Sequence, residues 1–194
     1  ASVELELKQA GFYPAGGGSI VIEVKPPVKW KSLSLLHKGK LMQEKIMGVV
    51  SNLPINIIER EVKIIEKLSG RSFSNVSIQE YKSLSPGNLV AIVECFENIN
   101  NVFTGFGDKS KSAEVVGEEA YLEFARAQAN DAPVPEHLAD QLLLPMALAG
   151  SGEMRITEKS LHFITNAEII QLFLEVAIDV SVHASGGFLV KVVR

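Results

Sequence analysis

Residues 153–177 read EMRITEKSLHFITNAEIIQLFLEVA, and this stretch decides the fold. In its first half Met154 and Ile156 alternate with polar residues, which is the period of a half-buried strand. In its second half apolar residues recur at helical spacing, and Thr165 followed by Glu168 has the form of an N-terminal capping box. The pattern therefore predicts a strand followed by a helix that begins near Thr165.

His162 lies at the junction between this predicted strand and helix. The start of a helix offers unpaired backbone N–H groups and the positive end of the helix dipole, so it suits a phosphate or another anion. A histidine in that place can meet a phosphorus atom. The alternative is a histidine that packs against the end of a strand, and spacing alone leaves both interpretations open.

A second stretch, residues 137–150, reads HLADQLLLPMALAG and is apolar nearly all round, so we expect a buried helix. Its polar exceptions are His137, Asp140 and Gln141, which share one face because they are three and four positions apart. Burying a polar group without a partner is costly, so this face is a candidate site. The alternative is a polar network that satisfies neighbouring backbone groups.

The middle of the chain predicts a self-contained module. Residues 37–132 read as a strand, a helix, three strands and a second helix, and the Pro-containing segment 130–135 follows as a boundary. We therefore expect residues 37–132 to fold as a small domain of their own.

The formal net charge of −4 gives the chain no general attraction to nucleic acid, so a polyanionic partner would need a local basic patch. Residues 28–40 carry four lysines around Trp30 and His37. This segment predicts a solvated linker, with contact to an RNA backbone as the alternative.

The single cysteine, Cys95, lies inside an apolar run and cannot form an internal disulfide, which fits a reducing compartment. No apolar run reaches the length of a membrane span, so we expect no membrane partner. The four histidines have no metal-ligand spacing. We expect a cytoplasmic protein, or a nuclear one if its source is eukaryotic.

Four motifs, taken together and in order, resemble the RNA 3′-terminal phosphate cyclase family. They are GFYPAGGG at 11–18, GFGDKSKSAEVVGEEA at 105–120, EHLADQLLLPMALAGSG at 136–152 and LHFITNAEII at 161–170. The resemblance implies an α+β fold in which units of two helices on a four-stranded sheet are repeated, with a smaller inserted domain of thioredoxin-like topology. Residues 37–132 match that insertion, so the resemblance implies that residues 1–36 and 133–194 are part of the large catalytic domain.

The same resemblance implies an ATP-dependent ligase that converts an RNA 3′-phosphate end into a 2′,3′-cyclic phosphodiester. His162, in the motif His-x-x-Thr-Asn, would attack the α-phosphate of ATP and carry AMP. Asp140 and Gln141 would lie in the ATP site, and the ring of His137 would pack on adenine. Mg²⁺, or Mn²⁺, would accompany ATP; no metal ligand is certain, and Asp140 either orients His162 or approaches the metal.

Members of the family carry a substantial N-terminal portion before GFYPAGGG, with a glycine-rich motif and several arginines that engage ATP and RNA. We therefore expect this chain to correspond to the C-terminal part of such an enzyme and to have that portion as a partner. Two alternatives follow: a non-catalytic cyclase-like protein in ribosomal RNA processing, or a binding or structural fragment that is inactive alone. The intact His162 motif argues against the first.

Overall fold

The computed structural model describes residues 2–26 and 29–194; Ala1, Pro27 and Val28, which belong to the predicted segment 1–36, lie outside the described residues. Over the described residues the protein is α+β. Its strands are β1 (Ser2–Gln9), β2 (Ser19–Lys25), β3 (Leu33–Leu35), β4 (Leu41–Ser51), β5 (Val76–Tyr81), β6 (Gly87–Phe96), β7 (Asn100–Phe106), β8 (Ser151–Ile156), β9 (Ala177–Val182) and β10 (Phe188–Val193). Its helices are α1 (Asn56–Ser69), α2 (Ala113–Ala127), α3 (Glu136–Ala149) and α4 (Leu161–Phe173).

The chain divides into two compact units. The first unit contains residues 2–26, 43–94 and 102–124, and the second contains residues 29–42, 95–101 and 125–194. Helix α1 belongs to the first unit and helix α3 to the second. The division into an inserted domain at 37–132 and a larger domain from the flanking segments stays a prediction.

In the first unit a four-stranded sheet has the order β5-β4-β6-β7. Strands β4 and β5 run parallel, with Ile46 opposite Val76. Helix α1 supplies an apolar stripe whose members Ile58 and Ile65 are fully buried. The helix approaches the sheet closely, because a Cβ atom added at Gly48 of β4 would lie 2.2 Å from the Ile58 side chain.

Strands β1 and β2 form a separate antiparallel ribbon in the first unit. Every residue of both strands is exposed. Side chains alternate between the two faces of a strand, so one face of the ribbon is wholly apolar and the other mostly charged. The apolar face consists of three cross-strand pairs whose members are 45–65% exposed: Val3 with Val24, Leu5 with Ile22 and Leu7 with Ile20.

The second unit places two helices on another four-stranded sheet, of order β3-β8-β10-β9. Strand β10 pairs antiparallel with β8 and β9, and β3 pairs parallel with β8. Helices α3 and α4 pack on each other and against the sheet. The core between these layers is built from fully buried side chains, among them Leu143, Met146, Met154, Ile156 and Phe163.

Three expectations from the sequence are corrected here. Helix α4 begins at Leu161, so His162 lies in its first turn and not at a strand end. Residues 28–40 are not only a linker, because β3 forms within them and pairs with β8. Helix α3 is not buried all round, since Leu144 is 50% exposed and Leu148 is 44% exposed.

No helix among the described residues has the length and apolarity that crossing a membrane requires.

Candidate functional site

A cavity of about 460 Å³ lies along helices α3 and α4 in the second unit. Helix α3 contributes the polar side chains of Asp140 and Gln141, and helix α4 contributes the amide of Asn166. The rest of the lining is apolar: Leu144, Leu148, Ile169, Ile170, Phe173 and Leu174. A mainly apolar cavity with a few convergent polar groups is the usual form of a small-molecule site.

Helical spacing explains why these side chains converge. On α4, the lining residues Ile169, Ile170, Phe173 and Leu174 lie three, four, seven and eight positions after Asn166, which is one continuous helix face. On α3, the lining residues that follow Asp140 are Gln141, Leu144 and Leu148. The polar groups therefore lie at one end of each lining face, and the apolar side chains continue toward the C-terminus of each helix.

His162 lies four positions before Asn166 and hence one turn closer to the start of α4, on the same face. Its side chain is exposed and does not line the cavity. The start of the helix is well held, because the Ser160 hydroxyl accepts a hydrogen bond of 3.0 Å from the Phe163 amide and the Phe163 ring is buried. The structure therefore presents the imidazole on a rigid, solvent-accessible helical turn.

His137 is also exposed and lies one turn before Asp140 and Gln141 on α3, outside the cavity lining. It belongs to a small charged cluster with Glu136, Glu158 and Arg126. Partial burial and the neighbouring Glu136 carboxylate raise the pKa of Glu158, while the positive charges of Arg126 and His137 act in the opposite direction. Glu136 and Glu158 are far apart in the sequence, so no local pattern indicates that they are neighbours.

A third polar cluster surrounds Arg155, whose side chain is almost fully buried although it lies on strand β8. Its guanidinium donates to both carboxylate oxygens of Asp131, to the Ser185 hydroxyl at 2.8 Å and to the Leu36 carbonyl at 3.4 Å. The hydrogen bonds that Asp131 accepts, chiefly those from Arg155 and also one from the Ser185 hydroxyl, lower the pKa of its carboxyl to about 2. His183 contacts the same Ser185 hydroxyl through Nδ1 at 3.0 Å, so it lies in a turn that this cluster holds.

The structure thus brings Asp140 and Gln141 to one cavity, and it places His137 and His162 one helical turn from the residues that line it. The roles assigned to these four residues stay predictions. Asn166, the last residue of the His162 motif, also lines the cavity. Its spacing of four positions from His162 is the sequence feature that indicates a shared helix face. Among the described residues, no group of three or more His, Cys, Asp or Glu side chains could hold a metal ion. A metal role for Asp140 stays a prediction.

Comparison with known proteins identifies the family. A family model described as RNA 3′-terminal phosphate cyclase matches residues 1–180. The chain belongs to the RNA 3′-terminal phosphate cyclase family. Curated proteins named RNA 3′-terminal phosphate cyclase are similar to it: one from Koribacter versatilis (strain Ellin345) is 41% identical over 180 residues, and one from Salmonella typhimurium (strain LT2) is 36% identical over 182 residues.

These matches cover 92% and 94% of this chain but only 51% and 53% of the respective relatives. The chain therefore spans about half the length of the curated cyclases that it matches. The cavity along α3 and α4, His137 and His162 all lie within the residues that the cyclase family model matches.

Proposed function

We propose that this protein takes part in ATP-dependent conversion of an RNA 3′-terminal phosphate to a 2′,3′-cyclic phosphodiester, through a covalent histidyl adenylate on His162. Membership of the cyclase family supports the overall reaction. The observation that carries the site is the position of His162 in a capped helical turn, one turn from a cavity that presents Asp140, Gln141 and Asn166.

The covalent step solves a problem of reactivity, because a phosphate monoester is a poor electrophile and cannot expel a hydroxide easily. In the first step a neutral imidazole nitrogen of His162 forms a bond to the α-phosphorus of ATP. The bond from that phosphorus to the bridging oxygen breaks, and pyrophosphate leaves. The exposure of the imidazole supports this role, since it leaves room for a nucleotide to approach in line.

In the second step an oxygen of the RNA 3′-phosphate attacks the adenylate phosphorus, and the bond to the imidazole nitrogen breaks. The terminal RNA phosphate now carries AMP as a good leaving group. In the third step the adjacent 2′-hydroxyl attacks the RNA 3′-phosphorus, loses its proton and expels AMP. The products are the cyclic phosphodiester, AMP and a free imidazole.

The cavity residues are assigned supporting roles. Gln141 and Asn166 offer amide donors and acceptors to the nucleotide, and the His137 ring, which lies one turn outside the cavity lining, would stack on adenine. Asp140 offers one carboxylate, which suits Mg²⁺ because this ion usually takes one or two protein carboxylates and completes its shell with water and substrate phosphates. Mg²⁺ or Mn²⁺, when bound, neutralises the triphosphate charge. Orientation of His162 by Asp140 is the second role open to this carboxylate.

The finer description of the fold is also proposed. The two helices on the sheet β3-β8-β10-β9 correspond to one of the repeated units of the family fold. The strand and helix order β4-α1-β5-β6-β7-α2 with sheet order β5-β4-β6-β7 corresponds to the thioredoxin-like insertion over residues 37–132. Residues 1–36 and 133–194 would then belong to the larger domain.

A second candidate function is favoured by one observation, namely that the chain spans about half of its curated relatives. On this proposal the chain is a nucleotide- or RNA-binding part that is inactive alone, and cyclisation requires the remaining portion of a full-length enzyme. We place either form of the protein in the cytoplasm, or in the nucleus of a eukaryotic source.

Labelling with [α-³²P]ATP tests the adenylation step. The protein is incubated alone and after fusion to the portion of the Koribacter relative that it does not match, with the intact relative as the positive control for the assay. We expect a label that is labile in acid and stable in base, as a phosphoramidate is. The label should vanish in His162→Ala and persist in His37→Ala, which removes another exposed histidine of the second unit.

Two results discriminate between the candidates. Label in the fusion but not in the chain alone would favour the inactive-part proposal. Full labelling of His162→Ala would show that His162 is not the nucleophile. His137 would then be the next candidate, and the same assay would be carried out on His137→Ala.

A further inference from the structure

The proposed function does not use the motif GFGDKSKSAEVVGEEA at 105–120, which lies in the first unit. Its glycines have a packing role. A Cβ atom at Gly105 would lie 2.1 Å from the Val116 carbonyl oxygen, and one at Gly117 would lie 2.6 Å from the Glu61 carbonyl oxygen. These contacts bring β7, α1 and α2 together, but they give no reason for the two lysines between the glycines.

The segment between β7 and α2 is a turn that contains those two lysines and is held by its own hydrogen bonds. The Asp108 carboxylate accepts hydrogen bonds from the Ser110 amide at 2.9 Å and the Ser110 hydroxyl at 2.7 Å, and the Asp108 carbonyl accepts from the Lys111 amide. The start of α2 has its own cap, since the Ser112 hydroxyl accepts from the Val115 amide. The turn is thus satisfied internally, and the exposed Lys109 ammonium is left at its tip.

This turn forms one wall of a cavity of about 560 Å³ within the first unit. The body of the cavity is apolar, with Phe12, Leu53, Ile57, Pro86 and Val116 in its lining. The Phe12 ring packs directly on Gly87, where an added Cβ atom would lie 2.2 Å from it. The volume and apolar lining suit a flat organic ring.

The cations of the lining differ in their availability. Arg60 is held by Glu114 in a two-pronged ion pair with both distances at 2.8 Å, and Lys111 is paired with Glu119 at 2.7 Å. Lys109 makes no ion pair within residues 2–26 and 29–194. A ligand anion can therefore pair with Lys109 without breaking an existing ion pair, which it cannot do with Arg60 or Lys111.

Tyr13 completes the arrangement. It lies in the turn between β1 and β2, lines the same cavity and is 88% exposed. An aromatic ring that projects from a turn beside a lysine is the combination that single-stranded nucleic acid uses, because a base stacks on the ring and the phosphate pairs with the cation. Both side chains are exposed, so a base and a phosphate can reach them from solvent.

We propose that this cavity is an RNA-strand subsite: it binds one nucleotide of the RNA, with the base against Tyr13 and the apolar lining and the phosphate on Lys109. The assignment rests on the proposed function, which makes RNA the substrate. It adds a subsite in the first unit that is separate from the residues assigned to adenylation. It also supplies one cation that has no ion-pair partner in the described part of the chain, Lys109, to a chain whose net charge of −4 gives no general attraction to a polyanion.

Fluorescence anisotropy with a 5′-labelled single-stranded hexanucleotide RNA tests the subsite in the full chain. Tyr13→Ala should weaken binding roughly 5-fold to 150-fold, the range that loss of one base–aromatic stack produces. Lys109→Ala should lower the slope of log affinity against log salt by about 0.7, as loss of one phosphate contact on a single strand does. Both side chains are exposed, so circular dichroism should show unchanged folding.

The controls are Phe106→Ala and Lys63→Ala, which remove an exposed aromatic ring and an exposed lysine of the first unit that do not line the cavity. Both should bind RNA as the wild type does. Absence of RNA binding by the wild type, or equal losses in the controls, would overturn the subsite. Competition by free AMP as effective as that by the hexanucleotide would overturn its assignment to a strand.

The [α-³²P]ATP labelling assay separates failure of this subsite from failure of the proposed function, because adenylation needs no RNA. Labelling that is unchanged in Tyr13→Ala and Lys109→Ala, together with their loss of RNA affinity, is the expected result. Label on His162 with RNA binding indifferent to both substitutions would overturn the subsite alone. Tyr13-dependent RNA binding without any adenylation would overturn the histidyl adenylate and leave the subsite standing.

Discussion

Replacement of Glu61 by glutamine tests how burial controls ionisation in the first unit. Glu61 is fully buried in α1; its Oε1 accepts a hydrogen bond from the Asn88 amide, and its Oε2 has no partner among the described residues. Burial raises the pKa of Glu61 from 4.5 to about 7, against the opposing effects of Asn88 and the Arg60 charge. The carboxyl is therefore protonated in the native state at mildly acid pH.

The sign and size of the effect follow from linkage. Between pH 4.5 and about pH 7 the native state holds a proton that the unfolded state has released, so the free energy of unfolding falls as the pH rises through this window. At about 1.4 kcal/mol for each tenfold change in proton affinity, the loss amounts to about 3 kcal/mol. It should be complete above the native pKa and absent below the unfolded one.

Urea unfolding near pH 5 and near pH 8, followed through the NMR signals of Ile58 and Val62 in α1, measures this loss in the first unit. The wild type should lose about 2.5 kcal/mol of the full effect between the two conditions, whereas Glu61→Gln should lose little, because an amide does not ionise. Glu59→Gln, which changes an exposed acid of the same helix, should keep the wild-type dependence. Equal pH dependence in the wild type and Glu61→Gln would refute the reasoning.

Three further outcomes are expected. Asp131→Ala should lower the free energy of unfolding of the second unit by about 1–3 kcal/mol near neutral pH, because the buried Arg155 guanidinium loses its carboxylate partner. In the wild type the same contribution should be lost as the pH falls from about 4 toward 2, because Asp131 becomes protonated. Thermal unfolding of the wild type across that pH range measures the loss. Ser160→Ala should lower the free energy of unfolding by about 1 kcal/mol, since it removes the N-cap of α4, and Thr165→Ala should lower it by less. The reverse order of the two losses in urea unfolding would show that Thr165, and not Ser160, caps the helix. Gly48→Ala should cost about 1–3 kcal/mol in thermal unfolding, because the added Cβ atom overlaps a buried side chain of α1.

The elements with long, regular apolar patterns were predictable from the sequence. The expected order of a strand and then a helix at the start of residues 37–132 agrees with β4 and α1, each of which has a regular apolar pattern. The start of α4 was expected near Thr165 but lies at Leu161, because the sequence offers two residues that could cap the helix, Thr165 and Ser160. Thr165 and Glu168 have the capping-box spacing but lie inside the helix, whereas Ser160 caps it without a glutamate three positions later. The three-residue strand β3 depends on pairing with β8, which a local pattern does not contain.

The candidate site was predictable from the sequence only where it depends on spacing within one element. The shared face of Asp140 and Gln141 follows from spacing within one helix, and both residues line one cavity. The contribution of Asn166 required the packing of α4 on α3, and the burial of Glu61 required the close approach of α2 at Gly117. Both depend on contacts between elements that are distant in the sequence.

The ribbon of β1 and β2 has a consequence for the local dynamics of the first unit. A two-stranded ribbon with no covered face is marginally stable in water, so its hydrogen bonds should open locally without unfolding of the sheet β5-β4-β6-β7. The ribbon is anchored at its turn, where the Ala15 amide donates to the Ser85 hydroxyl at 3.0 Å. Amide hydrogen exchange should therefore follow a gradient, slowest beside the turn near Gln9 and Ser19 and fastest at the open end near Ser2 and Lys25.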